Sequence, residues 1–131
     1  MKYQPFVDFY GLRFLSAKPV DVVLKYNAVE SGAFDVMVVY ATDGLNKRAG
    51  LTILEDDLGF FPEYYGAFLV REDLFSDYYD AAPNLEQVLE LLTGQVSSED
   101  MVELTYAVDV DGRDVAQVAR EFLLSKGLLQ E

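Results

Sequence analysis

The sequence predicts an α/β fold in which short strands alternate with helices, and three observations support this prediction. Apolar, β-branched runs over residues 34–40 and 51–55 have the length of buried strands and end in turn residues. A helix-spaced segment precedes the first run, which gives a βαβ-like alternation. The last third of the chain has the i, i+3, i+4 apolar spacing of helices. We therefore expect a short mixed or parallel sheet flanked by helices, with a helical C-terminal third.

The helices are predicted from apolar spacing and from residues that favour helix ends. The first is expected from Val22 to about Ser31, with Val22, Tyr26 and Val29 on its apolar face and Gly32 as its end. A second is expected over 85–93, and two more follow in the C-terminal third. The expected N-caps, in chain order, are Asp21, Asn84, Ser97 or Ser98, and Asp114, the last with Gln117 in a spacing that resembles a capping box.

The composition restricts the chemistry that the chain can perform. A chain of 131 residues is long enough for one domain with a core. It contains no cysteine and no histidine, so a thiol nucleophile, a thiolate metal site and the most common general base are missing. We therefore expect no enzyme activity, no catalytic residue and no cofactor.

The charge balance also excludes classes of partner. The chain has 23 acidic and 10 basic residues, a net charge of −13, which repels nucleic acids and anionic lipid surfaces. A cationic or zwitterionic small molecule is compatible with this charge. The sequence MKYQPFVDFYG has no apolar signal region or acylatable cysteine, so we expect neither a signal peptide nor a lipid anchor in this chain.

Two acidic clusters have the residue types of a metal site. Asp109-Val110-Asp111-Gly112 lacks the glycine and glutamate offsets of an EF-hand loop. The run Glu55-Asp56-Asp57 between two predicted strands is more typical of a solvated turn. We expect no metal site at either place.

The tyrosines give the strongest functional signal. Tyr40 is the last bulky residue of the run 34–40, and Tyr64 follows the second run after a Pro62-containing crossing. Ligands of open α/β sheets lie beyond the carboxyl ends of the strands, and a tyrosine face attracts quaternary ammonium through its quadrupole. Core packing or a half-buried rim position is the alternative for any single tyrosine.

Several segments in order resemble the C-terminal half of the substrate-binding proteins of bacterial osmoprotectant ABC importers, of the OpuAC or ProX type. They are KYNAVESGAFDVMVVYATDGL, LTILEDDLGFFPEYYGAFLVRED, LTGQVSSEDMVELTYAVDVDGRDVAQVAREFL and LSKGLL. The resemblance implies a periplasmic-binding-protein-like (type II) half. It also implies binding of glycine betaine, choline or carnitine by a tyrosine cage, an ABC permease and ATPase as partners, and a place on the extracytoplasmic face of a bacterial membrane or in the periplasm.

The resemblance also implies which residues bind the ligand. Tyr40 and Tyr64 match the tyrosines that this half contributes to the cage, and Tyr65 is a neighbour that could exchange roles with Tyr64. Thr42 and Asp43 lie at the same strand end and are expected to line or brace the pocket.

Members of the family are longer than this chain, and their N-terminal half supplies the rest of the first lobe and of the cage. Residues 1–131 are expected to form a single compact unit, in which about 11–57 belong to the second lobe and 66–129 to the returning first lobe. Two interpretations follow: a half that binds ligand, alone or completed by a second copy through dimerisation or segment exchange, and a folded half that does not bind alone.

Overall fold

The computed structural model describes residues 3–22 and 24–130, which contain seven helices. Four of them are short segments in the first two thirds of the chain, a fifth begins the helical third, and the two longest end the chain. In order they are α1 (Tyr3–Tyr10), α2 (Lys25–Glu30), α3 (Leu45–Arg48), α4 (Leu74–Asp77), α5 (Leu85–Glu90), α6 (Ser98–Asp109) and α7 (Val115–Ser125).

The expected sheet is not formed in the part of the chain that the structure describes. Residues 34–40 and 51–55, predicted as strands, contain no assigned strand, and the apolar run 66–71 contains none either. Within the described residues, the main chain of 34–39, 52–55 and 62–70 makes no hydrogen bond to another main-chain group. A strand needs a neighbouring strand to satisfy its N–H and C=O groups, and none of these runs is paired with another.

The surface is large for a chain of this length. The protein exposes 10659 Å², whereas a compact monomer of this size is expected to expose about 7,000 Å². Tyr26 and Val118 are the hydrophobic side chains that are buried in the described residues. The apolar runs that were predicted as strands therefore lie largely on the surface.

The first predicted helix is shorter than expected. Helix α2 begins at Lys25, and its N-cap is Leu24 instead of Asp21. The Leu24 N–H donates to the Asp21 carbonyl at 3.0 Å, which closes a turn ahead of the helix, and residue 23 of the predicted span lies outside the described residues. Tyr26 is buried as predicted, but Val22 is exposed. The end at Gly32, with φ +73°, is confirmed.

The helical third follows the predicted caps closely. Ser97 forms a capping box with Asp100, in which the Asp100 N–H donates to the Ser97 hydroxyl at 3.0 Å and the Ser97 N–H donates to the Asp100 carboxylate at 3.0 Å. The Asp114 carboxylate accepts from the Gln117 N–H at 2.9 Å, which confirms the last cap. Asn84 precedes α5 but makes no capping hydrogen bond with its side chain.

Replacing Ser97 with alanine is expected to lower the free energy of unfolding by about 1 kcal/mol, because the first turn of α6 loses its side-chain acceptor. Urea denaturation followed by circular dichroism measures this change. Ser98→Ala is the matched control, since Ser98 is the first helical residue and the cap is its neighbour. Equal effects of the two substitutions would contradict the capping role of Ser97.

Asp100 also links the two long helices. Lys126 at the end of α7 donates to its carboxylate at 2.9 Å, and this hydrogen bond, with the one from the Ser97 N–H, lowers the pKa of Asp100 to about 2. A lowered folded-state pKa stabilises the fold above the ordinary value of 3.8, and this contribution is lost as the pH falls towards 2. We expect Asp100→Asn to flatten the stability profile between these two pH values, as measured by urea denaturation at a series of acidic pH values.

Helix α3 packs directly on α6, and this contact positions the site described below. A Cβ atom placed on Gly44 would lie 2.4 Å from the Tyr106 main-chain nitrogen and 2.6 Å from its Cα. The Gly44 N–H donates to the Thr105 hydroxyl at 2.9 Å. The turn after residues 34–40 is therefore held against the middle of α6 at backbone distance.

Candidate functional site

The two tyrosines predicted as ligand-binding residues lie together on the surface. The ring centroids of Tyr40 and Tyr64 are 6.4 Å apart, with the ring planes tilted by 57°. Both side chains are exposed, Tyr40 by 68% and Tyr64 by 79%. At this separation the two rings are in tilted contact with each other, and their exposed faces are open to solvent, where an aromatic face attracts a cation.

Tyr65, the predicted alternative to Tyr64, points elsewhere. Its hydroxyl donates to the Glu63 carboxylate at 2.8 Å, and its side chain is 80% exposed. The aromatic contacts of the described residues pair Tyr40 with Tyr64 and include none of Tyr65. The structure thus brings together Tyr40 and Tyr64 and leaves Tyr65 outside the pair.

Tyr40 also borders an open cleft of about 380 Å³ between the turn after residue 40 and helix α6. Thr42 and Asp43, predicted to line or brace the pocket, both lie on its wall. The lining residues are Tyr40, Thr42, Asp43, Leu45, Met101, Thr105 and Asp109. This lining contains the carboxylates of Asp43 and Asp109 and no lysine or arginine, although Lys25 Nζ lies 3.8 Å from Asp43.

Sequence reasoning missed the contribution of α6 to this cleft. Met101, Thr105 and Asp109 are far from Tyr40 in the chain and reach it because α3 packs on α6. Their spacing of four residues is also the spacing of a packed helix face, so it gave no distinct functional signal. The close approach at Gly44 is the feature that brings them to the site.

The carboxylate of Asp43 stabilises the turn through hydrogen bonds. It accepts a short hydrogen bond from the Tyr26 hydroxyl and another from the Leu45 N–H at 3.0 Å, and Lys25 Nζ lies 3.8 Å away. Burial, followed by the hydrogen bond to Asp43, raises the pKa of Tyr26 above its ordinary value. Asp43 therefore joins helix α2 to the start of α3 and presents little free carboxylate to the cleft.

Thr42 is held through its main chain. The Thr105 hydroxyl oxygen lies 3.1 Å from the Thr42 carbonyl and 2.8 Å from the Met101 carbonyl in its own helix. A hydroxyl has one proton, so at any one time it donates to one of these two acceptors or to the Val102 carbonyl at 3.2 Å, while it accepts from the Gly44 N–H. This leaves the Thr42 side chain on the cleft wall.

The geometry of the described residues suits binding by aromatic and acidic groups. No group of three histidine, cysteine, aspartate or glutamate side chains in the described ranges is arranged to hold a metal ion. Within the same ranges, the helices are all too short or too polar to span a bilayer.

Comparison with known proteins shows which proteins the chain is similar to. Residues 2–125 match the substrate binding domain of ABC-type glycine betaine transport systems. The chain is 33% identical over 119 residues to an ergothioneine transport permease/ergothioneine binding protein, EgtU, of Helicobacter pylori (strain G27), covering 91% of this chain and 21% of that protein. It is 31% identical over 121 residues to the carnitine transport binding protein OpuCC of Listeria monocytogenes, covering 92% of this chain and 38% of that protein.

A solved structure described as a glycine betaine/carnitine/choline ABC transporter shares the fold. The match has a TM-score of 0.77 and 32% identity, and it covers 96% of this chain and 44% of the other. The prediction of a periplasmic-binding-protein-like half is supported at this level, although its sheet is not formed in the described residues. The chain thus spans less than half the length of each of these three proteins.

The resemblance inferred from the sequence is confirmed: the chain belongs to the family of substrate binding domains of ABC-type glycine betaine transport systems.

Proposed function

We propose that this chain supplies one wall of a binding site for a quaternary ammonium osmolyte, as the solute-recognition component of an ABC importer or as part of it. The observation that carries the proposal is the open pair formed by Tyr40 and Tyr64, whose centroids lie 6.4 Å apart. The neighbouring cleft wall contributes Thr42 and the acidic residue Asp109 and includes no basic residue, and Asp43 braces this wall.

The relatives agree on the chemistry of the ligand. Their names include ergothioneine, carnitine, glycine betaine and choline. Each of these compounds contains a trimethylammonium group, which cannot donate ordinary hydrogen bonds and is recognised through aromatic faces. The shared trimethylammonium group, and not one particular osmolyte, is the substrate class that we propose.

The strength of a two-ring wall is limited. Each ring contributes about 0.5–1 kcal/mol if it stays wet and about 2 kcal/mol if it is desolvated. Two desolvated rings therefore supply about 4 kcal/mol, which corresponds to a dissociation constant of about 1 mM. Tighter binding requires further groups that close over Tyr40 and Tyr64 and exclude water from them.

Those further groups are proposed to come from additional polypeptide that also completes the sheet. The exposed surface of this chain exceeds that of a compact monomer by about 3,700 Å², which is more than one partner contributes to a permanent interface of about 2,000–5,000 Å² in total. We propose that residues 34–40, 51–55 and 66–71 become strands when they pair with this polypeptide. The remainder of a longer two-lobed protein is the first candidate for it, and a second copy, joined by dimerisation or segment exchange, is the other.

If the chain is part of a longer two-lobed protein, its residues divide between the two lobes. Residues 11–57 would belong to the second lobe and residues 66–129 to the returning first lobe, with the contact of α3 and α6 between them. In the cell, an ABC permease and its ATPase would be the partners, on the extracytoplasmic face of a bacterial membrane or in the periplasm. No catalytic step is part of this function.

The alternative function is that of a folded half that binds no ligand until it is completed. The exposure of both rings supports it, because an open pair loses most of the gain from desolvation. The two functions differ in one measurable property, the affinity of the chain alone for trimethylammonium compounds.

Titration of the chain with choline, followed by NMR of the tyrosine rings, tests the proposal directly. We expect saturable shifts at Tyr40 and Tyr64, with a dissociation constant of about 1 mM if the ligand desolvates both rings and tens of millimolar or weaker if the rings stay wet. Tyr40→Ala and Tyr64→Ala are expected to weaken binding by about tenfold each, since each removes one π face. Tyr65→Ala is the matched control, because Tyr65 is equally exposed but lies outside the pair.

A neutral analogue separates cation–π attraction from hydrophobic contact. 3,3-Dimethylbutanol has the shape of choline with a carbon atom in place of nitrogen, and it is expected to bind much more weakly. Equal binding of both compounds, or equal loss in the Tyr65→Ala control, would rule out the proposed wall. A folded sample that shows no shift with choline, carnitine, glycine betaine or ergothioneine would support the alternative.

A further inference from the structure

The exposed ring of Tyr40 has little side-chain packing to fix its direction. Its side chain is 68% exposed, and its aromatic contact in the described residues is with Tyr64, which is itself exposed. A ring in this situation takes its direction from its own main chain. The groups that hold the Tyr40 peptide therefore help to set the region in which its ring can meet Tyr64.

Asn46 holds that peptide. Its side-chain Nδ2 donates to the Tyr40 carbonyl at 2.7 Å. The Asp43 N–H donates to the same oxygen at 3.1 Å, so both lone pairs of the carbonyl are used. With both lone pairs used, the peptide plane that follows Tyr40 is held in place, which limits the positions that its Cα and its side chain can take.

The environment of Asn46 is unusual for an amide side chain. Asn46 is 4% exposed and is the buried polar residue of the described part of the chain. Its Oδ1 lies 3.1 Å from the Tyr26 hydroxyl, and Tyr26 is 3% exposed. The Tyr40 carbonyl only accepts, so the amide nitrogen faces Tyr40 and the amide oxygen faces Tyr26, whose single hydroxyl proton goes either to Asp43 or to Asn46 at any one time.

We propose that Asn46 is the positioning residue of the aromatic wall formed by Tyr40 and Tyr64, with Tyr26 holding the Asn46 amide in the required orientation. This inference rests on the proposed function of Tyr40 and Tyr64. It assigns a role in ligand binding to two buried residues that do not reach the ligand. A wall whose rings are already in place does not lose conformational freedom on binding, which is how Asn46 acts on affinity.

The first test compares the wild-type chain with Asn46→Leu, a substitution of similar volume that removes the donor to Tyr40. The ring contact is read from nuclear Overhauser effects between the ring protons of Tyr40 and Tyr64, which require no ligand. We expect Asn46→Leu to lose this contact and to bind choline about tenfold more weakly. Asn84→Leu is the matched control, because Asn84 is exposed and makes no capping hydrogen bond with its side chain.

A second variant keeps the inference testable if Asn46→Leu does not fold. Tyr26→Phe keeps the buried ring and removes the hydroxyl that orients Asn46. We expect a weakened ring contact and a smaller loss of choline affinity. In the wild-type chain, the side-chain amide protons of Asn46 are expected to exchange with solvent far more slowly than those of Asn84.

The outcomes separate the two proposals. An unchanged ring contact in Asn46→Leu, or in Tyr26→Phe when the leucine variant is unfolded, would overturn the positioning role, as would rapid exchange of the Asn46 amide. A ring contact that depends on Asn46 in a wild-type chain that binds no choline would contradict ligand binding by this chain alone, favour the alternative function and leave the positioning role intact. A merely structural role of Asn46 predicts a lower unfolding midpoint with the ring contact preserved.

Discussion

Gly44→Ala is expected to lower the free energy of unfolding by about 3 kcal/mol, at the upper end of the cost of overpacking. The added methyl group would lie 2.4 Å from the main-chain nitrogen of Tyr106 and 2.9 Å from its Cβ. The obstructing atoms are mostly backbone, which cannot rotate away as the end of a flexible side chain can. The overlap between the added methyl group and Tyr106 can be relieved only if α3 moves away from α6.

That movement would also disturb the site. The Gly44 N–H donates to the Thr105 hydroxyl at 2.9 Å, and Thr105 and Tyr40 line the same cleft. We therefore expect Gly44→Ala to widen the cleft and to weaken choline binding together with stability. Urea denaturation gives the free energy of unfolding, and the same NMR titration gives the affinity.

Gly66→Ala is the matched control for this substitution. A methyl group added to Gly66 would point into open space, with no obstructing atom within 4 Å, and Gly66 does not have a positive φ. Its replacement is expected to change stability by less than about 0.5 kcal/mol. If the two glycine substitutions cost the same, the backbone contact between α3 and α6 is not what holds the turn.

The parts of the fold that sequence predicts well are those specified by local interactions. Ser97 and Asp114 are N-caps because each satisfies an N–H three residues ahead, and α6 and α7 follow them as predicted. Helix α1 is not predicted by its sequence. In the structure its Phe6 and Phe9 rings contact Phe60, with centroid distances of 5.4 and 5.2 Å.

The predicted strands show the opposite case. Residues 34–40 have the composition of a buried strand, but pairing is a non-local property and the described residues provide no partner. Tyr40 and Tyr64 are identified from the ends of such runs and from family resemblance, and the structure brings their rings together. Asn46 could not be identified, because an asparagine shortly after Asp43-Gly44 is ordinary turn composition.

Tyr26→Ala is expected to be the second strongly destabilising substitution, with a loss of about 3–5 kcal/mol. Tyr26 is the most buried hydrophobic side chain of the described residues, at 3% exposure. Its removal leaves a cavity beneath the turn and also deprives Asp43 and Asn46 of their hydroxyl partner. Thermal or urea denaturation of the variant measures the loss, and Tyr106→Ala, at a half-buried tyrosine, provides the comparison.

Tyr26→Phe distinguishes the stability contributed by the hydroxyl from that contributed by the ring, because only the contribution of the hydroxyl depends on pH. Burial and the hydrogen bond to Asp43 raise the pKa of Tyr26 above 10.0, so the folded chain holds this proton more tightly than the unfolded chain does. The corresponding stability is complete below pH 10.0 and is lost as the pH rises towards the folded-state pKa. We expect the difference in unfolding free energy between wild type and Tyr26→Phe to shrink above this pH. A difference that stays constant across the alkaline range would mean that the hydroxyl is not buried against Asp43, and the brace beneath Tyr40 would then have to be assigned to Asn46 alone.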